Sequence, residues 1–465
     1  MAKLASKINL KIALFCIIAL LPLIWLRGGF KSIYLDLDTA RDLHELSNIW
    51  IGRIVWVGPE LRHGFNITPF YYYLFYPALL IGNGDARALI IFNIVLSLAV
   101  LVWLGWLGIT KKKPAWLLGV LVIGLSPWWQ KISIHPGNGD TYAIFILASL
   151  ISLSFGKPFW LSSFLMGIAV AFHPTSIFAF PLLLHEWFLR KGQYLKNFIF
   201  IIAGFILPWL PNIIFTIITK GYWIRQWLSK PGWQVALTSD VGNNAFNVFQ
   251  LAKLSGFSVV LALFLWLLTG LMIGKTKEKF WYVMGSLLII LLALISPMPD
   301  RYLYGILTMT LFVIVLGLVK KSWGGLVLLM LIILLTTNVV KNPPQEEERS
   351  IPVQENNIDI FIKKGQIEKE QKIAVLSALR GYKHITPQGG LTPQSNDYRF
   401  FLRTKGFKAL DVWDYSQAEI LVLFIEDPQF DWEEWCSWEL DQFGAKKLRF
   451  ITKVGQTRMI VFDKI

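Results

Sequence analysis

The chain has 465 residues, 55% hydrophobic, 15% aromatic and only 16% charged, with a mean hydropathy of +0.52. Soluble globular proteins carry about 25% charged residues, so an ordinary soluble enzyme is excluded and a polytopic membrane protein is expected. The formal net charge of +15 sits in short Lys and Arg clusters between apolar runs, which is a topology signal and argues against a nucleic-acid partner.

The first apolar run, Ile12 to Leu26, follows Lys3, Lys7 and Lys11 and lacks a small-residue cleavage site, so it is expected to stay as a signal anchor. Further runs follow near 86–109, 115–133, 141–156, 159–173, 174–189, 197–218, 254–274, 280–297, 302–319 and 323–340. With the first, near 12–30, they make about eleven expected spans of a bilayer core roughly 30 Å thick. Lys111-Lys112-Lys113, Lys157, Arg190-Lys191 with Lys196, Lys275-Lys277-Lys279 and Lys320-Lys321 fall in every second loop. The positive-inside rule then places the N-terminus in the cytoplasm and the C-terminus outside, in a plasma membrane. Residues 31–85 form a first outer loop of the 1–340 membrane domain. Residues 341–370, opening with Asn342-Pro343-Pro344, are expected as a linker, and 371–465 as a small soluble α/β domain. In that domain KIAVLSA and EILVLFI are short apolar runs, LRFITKV and TRMIVFDK alternate, and DWEEWCSWELDQF has helical spacing of Trp. With no phosphate loop, metal spacing or nucleophile motif in it, docking or gating is its expected role. Cys16 and Cys436 lie in segments not expected to meet, so no disulfide framework or Cys-based metal site is expected.

The stretch YLDLDTARD, Tyr34 to Asp42, sets Asp36, Asp38 and Asp42 beside Arg41 where the first span surfaces. Carboxylates next to a bilayer are costly to desolvate, so the cluster is a candidate site. The competing reading is a solvated helix start, with Asp36 or Asp38 as cap and Asp38 paired to Arg41 three residues on. Further on, FYYYLFYPALL suits an in-plane interfacial helix, with the Tyr rings in lipid and their hydroxyls in water; the bland alternative is the start of the next span. His63, the group His135, Asn138 and Asp140, and the Asp300-Arg301-Tyr302 run join the acidic stretch on the expected outer face. Histidines and carboxylates on separate loops could take a divalent metal, but none has tight ligand spacing, so the signal is weak: no cofactor is specified and a divalent metal stays open. His173, in AFHPT, reads either as functional or as a satisfied buried histidine. Arg301 opens an apolar span, where a guanidinium can hold a phosphate headgroup in bidentate fashion.

In these motifs and their order the chain resembles the GT-C superfamily of integral-membrane glycosyltransferases, in particular the protein O-mannosyltransferase and lipid A aminoarabinose transferase group. The resemblance rests on Asp38-Thr39-Ala40-Arg41 after the first span, then Gly58-Pro59, Gly64, PFYYYL and Ala86-Arg87. His173-Pro174-Thr175 and Arg301-Tyr302 continue it. It implies inverting transfer of a sugar from a polyprenyl-phosphate donor to a lipid, glycan or protein acceptor at the outer face. Asp38 would be the general base, with Asp36 as the alternative. Donor phosphate and substrate contacts would come from Arg301, Arg41, His63, Tyr72, His135 and Tyr302. Ile67-Thr68-Pro69 replaces the family's Lys-Pro-Pro, so the phosphate contact of that lysine is expected from Arg301 or Arg62. The alternative class is a transporter or flippase of lipid-linked sugars, for which Pro181, Pro208 and Pro211 inside expected spans speak.

Overall fold

The computed structural model describes residues 2–61, 65–190, 193–221, 225, 300–378, 395–430, 432–433 and 437–465. The chain is mainly helical, with a small sheet domain at the C-terminus. It divides into two compact units, the first built from Met1–Arg27, Trp56–Leu74 and Ile90–Pro344, the second from Gly28–Val55, Phe75–Leu89 and Gln345–Ile465.

In chain order, α1 is Ala2–Trp25, α2 Leu37–Trp50, α3 Phe70–Ile81, α4 Arg87–Thr110, α5 Ala115–Leu125, α6 Pro127–Ile134, α7 Asn138–Ser154 and α8 Phe159–Phe172. Then come α9, Phe180–Leu189, and α10, Tyr194–Ile218; past residue 299 follow α11, Asp300–Leu318, and α12, Gly324–Lys341. Among the described residues, α4, α10 and α12 are each long and apolar enough to cross a membrane. The pair α5 and α6 reaches that length together but bends by 68° at Ser126, where the backbone turns extended and Pro127 opens α6. Asn9–Trp25, Phe70–Ile81, Phe159–Phe172 and Leu307–Leu318 are shorter apolar helices, and the expected spans 254–274 and 280–297 lie outside the described residues. The expected span 174–189 is broken: His173 is extended, Pro174–Ala179 is a 3-10 turn, and α9 is only ten residues long. Helix α10, by contrast, runs on through Pro208 and Pro211.

Within the first unit, α8 and α10 approach backbone to backbone. A Cβ on Gly167 would lie 1.9 Å from the Gly204 carbonyl oxygen, so only glycine fits there. The Gly58-Pro59 turn is equally tight, since a Cβ at Gly58 would meet the Thr68 carbonyl oxygen at 2.2 Å. Thr68 Oγ1 donates to Pro208 O at 2.7 Å and Asn212 Nδ2 to Ile67 O at 3.1 Å, tying this loop to α10. The aromatic α3 differs from expectation. Tyr71 and Tyr72 are fully buried and Tyr71 OH donates to Pro136 O, so these two rings fill protein rather than face lipid.

In the second unit, α13 (Ile351–Gly365) occupies half of the stretch expected as linker, because Ile351, Ile358 and Phe361 recur at helical spacing and bury one face. The strands are β3 (Lys372–Ala378), β4 (Lys408–Ala409), β5 (Ile420–Ile425), β6 (Lys446–Val454) and β7 (Thr457–Lys464); β1 (Glu60–Leu61) and β2 (Phe65–Asn66) form a separate hairpin in the first unit. The five-stranded order is β4-β3-β5-β7-β6, with β3 parallel to β4 and β5, and β7 antiparallel to β5 and β6. Fully buried β5 reads as a continuous apolar run, as a central strand should, whereas β6 alternates at the exposed edge. Helix α14 (Asn396–Thr404) packs on α2, and α15 (Trp438–Phe443) is shorter than its Trp spacing indicated, starting where Ser437 Oγ caps Leu440 N.

Candidate active site

Helix α2 begins at the acidic stretch. Asp36 is its N-cap, accepting Thr39 N–H at 2.7 Å, a bond that satisfies one of the free amides of the first turn. Asp38 lies in that first turn and receives Arg41 Nη1 at 2.7 Å, while Arg41 Nη2 and Nε reach Asp42 Oδ1 at 3.1 and 3.3 Å. Asp42 is buried at 1% exposure; the Asp38 side chain keeps 34%. One guanidinium thus joins two carboxylates, and Asp38 is the one solvent can reach. A turn further on, burial pushes the Glu45 carboxyl up, opposed by a hydrogen bond from Asn48 Nδ2 at 3.2 Å.

Two charged clusters that have no local signature surround this helix within the second unit. At its start, Arg349 Nε donates to Leu35 O at 3.2 Å and Leu35 N–H donates back to Arg349 O at 2.8 Å. The same guanidinium holds both oxygens of Glu426 at 3.0 and 3.1 Å and also binds Asp397. Burial disfavours the Arg349 charge, but Asp397 and Glu426 more than offset this and hold its pKa up. Burial pushes Glu426 up against the pull of Arg349, with Tyr398 OH and Gln354 Nε2 donating to Oε1 at 2.8 and 3.2 Å.

At the other end, Arg403 Nη1 donates to Asn48 Oδ1 at 2.7 Å and Ser47 Oγ at 3.3 Å, Nη2 to Asp411 Oδ1 at 2.7 Å, and Nε to Ala409 O at 2.9 Å. His44 lies between, with Nε2 3.3 Å from Asp411 Oδ1 and Nδ1 3.5 Å from Arg403 Nη1. Burial lowers its pKa to about 4, so at neutral pH the ring is uncharged. An arginine can only donate, which assigns the proton to Nε2 and the lone pair to Nδ1. Burial alone would raise Asp411, but the hydrogen bond from His44, the Arg403 charge and the Arg403 hydrogen bond hold it well below the usual carboxylate range. Arg53 also pairs with Asp411.

The remaining expected site residues fall in the first unit or outside the described residues. Tyr72 is buried edge-on against Tyr71, ring centroids 5.6 Å apart. His135 is half-buried and closes α6; its carbonyl and those of Ile132 and Ser133 accept from Asn93 Nδ2 at 3.2, 2.6 and 3.2 Å. Asn138 and Asp140, expected in a turn, belong to the first turn of α7, and Asn138 Nδ2 donates to Phe172 O at 3.2 Å. His173 stacks on Tyr142 at 5.1 Å and its Nδ1 lies 2.7 Å from Thr175 Oγ1. Tyr142 OH accepts Gly305 N–H at 2.9 Å, so one tyrosine joins His173 to the second turn of α11. Arg301 and Tyr302 stand in the first turn of α11, with side chains outside the described residues; Arg62 and His63 lie outside them altogether. Among the described residues, no group of three or more His, Cys, Asp or Glu gathers that could hold a metal.

No protein-family model matches the chain, and no curated protein matches its sequence. Solved structures do. The crystal structure of ArnT from Cupriavidus metallidurans bound to undecaprenyl phosphate superposes with a TM-score of 0.61 at 10% identity, covering 97% of this chain and 98% of that one. ArnT from the same organism in the apo state covers 97% of each chain at 11% identity with a TM-score of 0.34. On the first of these likenesses, spanning nearly all of both chains, this protein has the fold of ArnT.

Proposed function

We propose that the protein is a membrane glycosyltransferase that moves a sugar from a polyprenyl-phosphate donor to an acceptor hydroxyl at the outer face of a plasma membrane. The observation that carries this reading is the full-length fold likeness to an ArnT structure holding undecaprenyl phosphate. The half-buried, arginine-paired Asp38 in the first turn of α2 supports it, as do the apolar helices. Asp36 is engaged as N-cap, which favours Asp38 as the base.

In the reaction Asp38 accepts the proton of the acceptor hydroxyl as its oxygen attacks the anomeric carbon from the face opposite the phosphate. The new C–O bond forms while the bond to the phosphate oxygen breaks, and the configuration inverts. Polyprenyl phosphate leaves with the bonding electron pair. Arg301, entering the membrane at headgroup depth, offsets the charge that grows on that phosphate. Arg41 keeps Asp38 in one rotamer, so the proton acceptor is preorganised. The alternating basic loops support the outer-face orientation.

The test is to supply the purified full chain, in vesicles, with undecaprenyl-phosphate sugars and envelope-derived acceptors, and to follow release of undecaprenyl phosphate. Release coupled to acceptor glycosylation is expected. Movement of intact donor across the bilayer without cleavage would replace this reading with the flippase.

A further inference from the structure

We propose that the C-terminal sheet domain is the positioning device for the acidic helix α2, with Arg403 as its central residue; this rests on the reading of Asp38 as the base. The helix is held at both ends. Before its N-cap, the backbone of Leu35 exchanges two hydrogen bonds with Arg349, itself locked by Glu426 and Asp397. Near its C-terminus, Arg403 binds Ser47 and Asn48. At 1.5 Å per residue the two grips are about 20 Å apart, enough to define the helix axis. His44, between Asp411 and Arg403, adds a lateral contact that fixes rotation about that axis. Asp38 and Arg41 lie between the grips, so the direction in which the carboxylate points is set by residues more than 300 positions away in the chain.

The apolar face of α2, with Ala40, Leu43 and Leu46 buried, would hold the helix in place without these groups. Packing of that kind tolerates small tilts and slides, whereas a guanidinium bonded in four directions does not. Arg403 uses its three nitrogens on Ala409, Asp411, Ser47 and Asn48, a planar pattern that lysine cannot reproduce. A misplacement of about 1 Å at a catalytic group costs on the order of 10²-fold in rate.

The test uses the full chain in vesicles with undecaprenyl-phosphate sugar as donor, and three variants: Arg403→Lys, Asn48→Ala and Asp38→Asn. Hydrogen exchange is read at residues 37–50 and at the strands of the sheet, beside kcat and the donor KM. Arg403→Lys is expected to exchange faster at 37–50 with the sheet unchanged, and to lose on the order of 10²-fold in kcat while KM stays near wild type. Asn48→Ala should move both readouts the same way by less. Wild-type exchange at 37–50 in both variants, or faster exchange with wild-type kcat, would overturn the proposal. Should Arg403→Lys fail to fold, Asn48→Ala, which removes the Arg403 acceptor together with the donor to Glu45, decides on the same criteria. An active Asp38→Asn beside a slow Arg403→Lys would remove Asp38 as base and leave α2 positioned for another of its groups.

Discussion

Arg41 Nη1 lies 2.7 Å from Asp38 and its Nη2 3.1 Å from Asp42, so a single guanidinium ties a half-buried carboxylate to a fully buried one. Asp38→Asn keeps the size and much of the hydrogen bonding but removes the proton acceptor. Transfer should fall by about 10²–10⁴-fold with the protein still inserted and folded. Asp36→Asn should be close to wild type, because Asn caps helices as well as Asp, whereas Asp36→Ala should destabilise α2 by about 1 kcal/mol. Initial rates and thermal unfolding of the three variants check this, and a dead Asp36→Asn beside an active Asp38→Asn would reverse the assignment.

The buried His44 makes the second unit sensitive to acid. Its pKa is lowered from 6.5 to about 4 on folding, so between these values the unfolded chain binds the proton and the folded one does not. The contribution is therefore complete above pH 6.5 and is lost as the pH falls toward 4, by an amount on the order of 3 kcal/mol. The depressed pKa of Asp411 acts below its unfolded value of 3.8, outside this window. Thermal unfolding followed by tryptophan fluorescence should show the midpoint dropping between pH 7 and 4.5, and His44→Gln should flatten that slope. An identical slope in the variant would remove His44 as its source.

Arg301 stands in the first turn of α11, and the next turn of that helix is held by Tyr142 through Gly305. If Arg301 holds two oxygens of the donor phosphate, Arg301→Lys should be impaired and Arg301→Ala more so. Transfer by Arg301→Lys at the wild-type rate would reduce this residue to an interfacial anchor.

Orientation is checked by fusions. A reporter active only outside the cytoplasm should be active after Ile465 and inactive after Lys113. The opposite pattern would put α2 in the wrong compartment for an outer-face reaction.

Gly167 carries the closest backbone approach between α8 and α10, 1.9 Å for a Cβ placed there. The atom it would meet is a main-chain oxygen, which cannot rotate away. Gly167→Ala should lower stability in detergent by about 1–3 kcal/mol or more, seen as a lower aggregation temperature. An unchanged temperature would mean that the two helices separate there at little cost.

Features written in neighbouring residues are legible in the amino-acid order itself. Long apolar runs announce helices that lie in lipid, because the bilayer selects composition over each stretch of about 20 residues. The runs KIAVLSA and EILVLFI announce β3 and β5, since a strand buried on both faces must be apolar throughout. Asp36 and Asp38 with Arg41 stand out because capping and pairing act over one helical turn. The structure takes the helix-start reading for both, with Asp36 as the cap and Asp38 paired to Arg41 within one turn, and tertiary structure decided the rest. It buried Tyr71 and Tyr72, and turned half of an expected linker into α13. Above all, it brought Arg349 to Leu35 and Arg403 to Asn48, across 314 and 355 residues. No local pattern marks such pairs, because an isolated Arg or Asp reads as surface charge until the fold removes water from both partners and makes their pairing obligatory.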